Sequence, residues 1–171
     1  MRMRQISGAA AAMLLLLSPS FARAQEGAWA AEVSIGYAGF VDDATKNNFL
    51  VAGGVRRHVA SRVSIGPEMV LMSNPGESRD RNVLLTGNVV VDAYPTSQAD
   101  MHSVTPFFVG GLGMFWGRDQ VRGGPFWGRD PAFTVGGGVR ARVGESMSVA
   151  AEYRLGWELH HRLSATAGFH W

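Results

Sequence analysis

Seven ionisable residues fall on one parity of the chain's alternating segments: Glu32, Arg56, Glu68, Asp92, Arg140, Glu152 and Arg154. The same parity carries His58, Thr86, Asn88, Arg142 and His170. A carboxylate beside a guanidinium, such as Glu68 with Arg140, could act as a catalytic pair. The near balance of acids and bases favours mutual neutralisation in a place that water does not reach. A second candidate is Ser164 with His160 or His161 and, as a third member, Glu158. A serine becomes a nucleophile only with a base held within hydrogen-bond reach, and His161 stands three residues from Ser164. Metal chemistry finds little: His160 and His161 are adjacent and point apart on a strand, and Asp42-Asp43 stand alone, so no converging ligand set forms. No cofactor is expected. The sharpest local feature is a repeat, Phe115-Trp116-Gly117-Arg118-Asp119 and Phe126-Trp127-Gly128-Arg129-Asp130. A hairpin centred between Arg122 and Gly123 would set Trp116 opposite Arg129 and Arg118 opposite Trp127, two candidate cross-strand cation–π pairs.

The elements that position these residues are strands. Leu163, Ala165, Ala167, Phe169 and Trp171 alternate with Ser164, Thr166, Gly168 and His170, the period of two that gives a strand one apolar and one polar face. Eight such segments are expected at about 28–38, 48–59, 62–72, 83–94, 104–116, 132–143, 147–157 and 163–171. Each has about the 9–11 residues that a tilted membrane strand needs. Shorter connections at Ala60-Ser61, Pro95–Ser103 and Gly144–Ser146 alternate with longer ones at 39–47, 73–82, 117–131 and 158–162. The segment 104–116 is apolar on both parities, and its register is not readable. Glycines cluster inside strands, at Gly53-Gly54, Gly110-Gly111 and Gly136–Gly138, where a tightly bending sheet tolerates them.

Residues 1–24 read as a cleaved secretory signal, with Arg2 and Arg4, an apolar run from Ala9 to Leu17, and the small-x-small site Ala22-Arg23-Ala24. The run is too short for a membrane helix. Without the three arginines of that segment, 13 basic residues face 14 acidic ones, a net charge of −1. The basic pI therefore belongs mostly to the signal, and no nucleic-acid partner is expected. The chain has no cysteine, and Lys46 is its only lysine against 15 arginines. A soluble β-protein covers its outer face with lysine and glutamate, so much of this outer face is expected to avoid water. The apolar parity, which includes Trp29, Val33, Ile35, Tyr37, Phe49, Val51, Met69, Leu71, Phe133 and Tyr153, has aromatics near strand ends, as at membrane interfaces. An arginine turned outward at mid-membrane would cost roughly 2–4 kcal/mol. The charged parity is therefore expected to face inward as a satisfied ionic cluster in the lower half of the barrel, filling a bore too narrow for an open channel.

With the signal segment, Ile65-Gly66-Pro67-Glu68, Thr105–Gly113 and the run Gly136–Trp171, the chain resembles the eight-stranded outer-membrane β-barrel family of the OmpA transmembrane domain and OmpX. The resemblance covers 25–171 and implies an all-β, eight-stranded antiparallel up-and-down transmembrane barrel. It implies a monomer in the outer membrane of a Gram-negative-type bacterium, with a structural or surface-interaction role and no enzymatic activity. Phe169 and Trp171 match the family's terminal aromatic signal for the barrel assembly machinery, although most members end on phenylalanine. No wall-binding domain is expected after the barrel. Outer-membrane lipid and lipopolysaccharide are the implied surroundings. Trp116, Arg118, Trp127 and Arg129 are expected to stiffen a ribbon beyond the membrane, and to offer a sugar, lipopolysaccharide phosphate or extracellular partner a surface through 117–131. A narrow porin-like channel is the first alternative. A lipid A-modifying hydrolase is the second, but the lipid A 3-O-deacylase pattern spaces its His and Ser by one residue, which this chain does not.

Overall fold

The computed structural model describes residues 28–40, 47–74, 81–95, 103–121, 124–156 and 160–171, and of 40, 47, 118–121 and 124–127 it describes the backbone alone. The signal segment 1–24 and Asp42-Asp43 lie outside the described residues. Eight strands follow one another: β1 (Trp29–Phe40), β2 (Asn47–Ala60), β3 (Val63–Ser73), β4 (Arg81–Asp92), β5 (Val104–Val121), β6 (Gly124–Val143), β7 (Met147–Gly156) and β8 (His160–His170). Each pairs antiparallel with the next, and β1 pairs with β8, so the sheet is a closed up-and-down barrel. Closure removes the unpaired edges that a flat sheet would leave. At the seam Trp29 N donates to Trp171 O at 2.9 Å and Trp171 N to Trp29 O at 3.0 Å.

Alternation decides which residues meet the interior. In β4 the burial pattern swings between Leu84, Thr86, Asn88, Val90 and Asp92 inside and Leu85, Val89 and Val91 outside. The outward set is apolar on every strand, from Val33 and Ile35 through Phe108, Leu112 and Val135 to Leu163, with Arg57, Arg81 and Arg129 as charged exceptions nearer the ends. An outer face of this kind suits hydrocarbon, and the closed ladder leaves no strand edge unpaired in it. Inside, one apolar patch lies toward the longer connections: Leu50, Val70, Met72 and Leu84, with Phe115 packed on it. A smaller patch of Val90, Phe107 and Val109 lies toward the other end. These patches explain why the segment 104–116 is apolar on both parities: Phe107 and Val109 are buried core, while Phe108, Leu112 and Met114 face out.

Two boundaries differ from the sequence expectation. β5 and β6 do not stop at 116 and 132 but stay in register to Val121↔Gly124, as the ribbon reading of 117–131 requires, and run to 18 and 20 residues. The residues His160–Arg162 belong to β8 and pair with β1. Gly66 allows close approach, since a Cβ there would drive into Val55 O and Arg56 Cα of the adjoining strand, whereas nothing stands within 4 Å of one built on Gly53.

Candidate functional site

Inward-facing charges form one network across the bore and two flanking pairs. Arg154 reaches Glu68 Oε2 with Nη1 at 2.8 Å and Glu152 Oε2 with Nη2 at 2.9 Å, and its Nε also donates to Glu152. Arg162 Nη2 donates to Glu68 Oε1 at 2.7 Å and to Glu152 Oε1 at 3.2 Å. Asn88 Nδ2 adds a 2.8 Å bond to Glu68. Two carboxylates thus alternate with two guanidinium groups, all four residues buried. Glu68 stands on β3 and its partners on β7 and β8, so the bonds span the barrel from wall to opposite wall. Nearer the other end, Arg140 Nη1 donates to Asp92 Oδ1 at 2.8 Å and lies 4.6 Å from the Phe107 ring centre. Arg56 Nη2 lies 2.8 Å from Glu32 Oε1. A cavity of about 40 Å³ between these groups touches Glu32, Arg56, Glu68, Arg140, Glu152 and Arg154 on its polar side and Val90 and Phe107 on its apolar side. That is room for water and little else.

Sequence reasoning missed Arg162, the largest fully buried side chain among the described residues, because it assigned 158–162 to a connection. Carrying the alternation of Ser164, Thr166 and Gly168 back by one step would have found it. It also suggested Glu68 with Arg140, whereas Glu68 bonds Arg154 and Arg162. Arg162 joins the cluster from outside the seven residues expected in the lower half, since it is the third residue of β8 from the opposite end. Arg142, on the inward parity, is exposed at the rim.

The proposed hydrolytic residues are kept apart. His161 and Ser164 are on opposite parities, the serine buried and the histidine half-buried. His160 shares the parity of Ser164, but four residues of strand separate their backbones by about 13 Å at 3.3 Å per residue. Glu158 lies outside the described residues. Among the described residues no group of three or more His, Asp or Glu could hold a metal ion.

The Trp/Arg repeat pairs on itself. Trp116 is in register with Arg129, Gly117 with Gly128, and Arg118 with Trp127. The pattern is antiparallel and symmetric about the Gly117↔Gly128 pair. The last described rung to β4 is Asn82↔Gly117 and the last described rung to β7 is Thr134↔Gly156, so among the described residues β5 and β6 pair beyond them with each other alone. Positions 116, 118, 127 and 129 share the parity that faces outward lower down. Trp116 is half-buried and Arg129 exposed. The side chains of Arg118 and Trp127 lie outside the described residues, as does any contact between them. At the opposite end Phe169 and Trp171 are exposed and stacked, with centroids 6.0 Å apart and an interplanar angle of 27°.

Apolar without, charged and filled within, and closed on itself, the chain has the fold of a small transmembrane β-barrel. Solved structures share it. Neisserial surface protein A (NspA) superposes with a TM-score of 0.66 at 12% identity, over 84% of this chain and 96% of that one. The N-terminal β-barrel domain of Pseudomonas aeruginosa OprF gives 0.65 at 10% identity, over 83% and 97%. Ail, the attachment invasion locus protein of Yersinia pestis, in complex with the heparin analogue sucrose octasulfate, gives 0.60 at 12% identity, over 85% and 99%. At these identities the likeness is one of fold. No protein-family profile matches the chain, and no curated protein matches it in sequence.

Proposed function

We propose that this chain is an integral outer-membrane protein with a structural or surface-interaction role, and that it neither conducts nor catalyses. One observation carries this: the Glu68, Glu152, Arg154 and Arg162 network spans the bore with every member buried. Opening a path through it would expose paired charges to one another's loss, at a cost of several kcal/mol. What remains to act is the surface, and β5 and β6 are the longest of the described strands there. Their Trp and Arg positions suit an anionic sugar or a lipopolysaccharide phosphate, since rings stack on sugars and guanidinium groups fork onto phosphate. The Ail complex with a sulfated sugar supports that choice of chemistry. Phe169 and Trp171 on the final strand are the proposed handle for the barrel assembly machinery.

The test begins with the full precursor. Isolated outer membranes should yield a band whose mobility changes on boiling, and the purified barrel should leave a planar bilayer non-conducting. A band that never shifts and washes off without detergent would sink the membrane assignment. Steady single-channel conductance would replace it with the narrow pore. A lipid A-modifying hydrolase would change lipid A mass on expression, and Ser164→Ala would abolish the change.

A further inference from the structure

Arg56 and Arg57 are consecutive in β2, so they must face opposite sides of the sheet. Arg56 takes the inside, 4% exposed and beside Glu32. Arg57 therefore stands on the apolar outside. Its neighbours along the strand are Val55 and Val59, and its partners across the ladder are Trp29 and Ile65, all four exposed. Among the described strand residues of outward parity, Arg81, Arg118 and Arg129 are the other arginines, and all three lie toward the ribbon end of the barrel. Arg57 alone is at the other end.

The guanidinium of Arg57 lies 5.7 Å from the Trp29 ring centre. Trp29 is tied to Trp171 by the two seam bonds, and Trp171 stacks on Phe169. Arg57 thus caps one edge of an aromatic shelf. Among the described residues no salt bridge reaches it, and Glu32, Glu68, Asp92 and Glu152 all point inward and are engaged there. A cation held over a ring, on a face built for hydrocarbon, calls for an anion carried by the membrane itself.

We propose that Arg57, Trp29 and the Trp171 shelf bind the phosphate of a phospholipid headgroup in the membrane leaflet opposite the ribbon. The guanidinium offers two parallel N–H donors to the phosphate oxygens. The ring of Trp29 holds the guanidinium in place, and Val55, one outward step nearer the middle of the barrel, lies under the acyl chains. Lipopolysaccharide phosphate is not the occupant, since it belongs to the ribbon's leaflet. The inference rests on the outer-membrane assignment and its orientation.

The experiment places the refolded chain in vesicles of phosphatidylethanolamine and phosphatidylglycerol. It counts, by native mass spectrometry, the phospholipids that leave with the barrel. The native chain should keep a phospholipid that Arg57→Gln loses and Arg57→Lys holds less well, with Arg81→Gln unchanged. Excess inorganic phosphate should not displace it. Equal retention by Arg57→Gln overturns the site, as does an equal loss from Arg81→Gln or displacement by free phosphate. Should Arg57→Gln fail to give a heat-dependent mobility shift, Arg57→Lys decides, and retention equal to the native chain's counts against the site. A native chain that does not insert into these vesicles at all overturns the membrane assignment, and the site with it. Insertion without retention overturns the site alone.

Discussion

Glu68 answers two arginines at once, so its loss should be among the most damaging single changes in the barrel. Glu68→Ala leaves Arg154 and Arg162 buried beside Glu152 alone, and removing one partner from such a pair costs about 3–5 kcal/mol. The urea midpoint of the refolded barrel should fall accordingly. Replacing Glu68, Glu152, Arg154 and Arg162 together with apolar residues of similar volume should cost little or even stabilise, because the desolvation penalty disappears with the charges. Glycine gives a second contrast. Gly66→Ala forces a methyl group against the backbone of β2 and should lower stability by about 1–3 kcal/mol, whereas Gly53→Ala meets open space and should be tolerated in the same assay. Most of the interior was legible in the sequence, because a period of two puts Glu32, Arg56 and Glu152 on one face and the cost of an arginine in hydrocarbon turns that face inward. Who bonds whom was not legible. Partners across a bore are set by which strands face each other on the ring, and local spacing says nothing of that for Glu68 and Arg162.

The β5–β6 ribbon is the element that departs from the rest of the barrel. Its two repeats pair residue for residue, and Phe115 roots it on the upper core patch. Trp116→Ala with Trp127→Ala should raise the rate of trypsin cleavage within 117–131 several-fold while the heat-dependent mobility shift of the barrel persists. Unchanged cleavage would mean that backbone pairing alone holds the ribbon. The repeat and its central Arg122-Gly123 made the hairpin's register readable before any coordinates, since each half supplies the other's cross-strand neighbours. The register of the lower part of β5 was not readable. Phe107 and Phe108 both look like core to a pattern search, and only the presence of interior apolar patches tells them apart.

For the whole molecule, the expected outcome is a closed, silent barrel. Conductance should stay at the baseline of the bilayer for the native chain, while Glu68→Ala, where it still folds, should admit water and small ions into the middle of the bore. The closed ring also imposes an order of events. Seven of the eight strand pairings join neighbours in sequence and can form as hairpins, each within its own short stretch. The eighth, β1 with β8, joins Trp29 to Trp171 across the length of the described chain. Closing a long loop costs more entropy than closing a short one, so the seam should be the last thing made. Until then the sheet is a curled ribbon with two bare rims, and a rim of unbonded N–H and C=O groups is not tolerated in hydrocarbon. Crossing the membrane and becoming a ring are therefore one step in time, and the pace of the whole process is set by how quickly the two distant edges find each other.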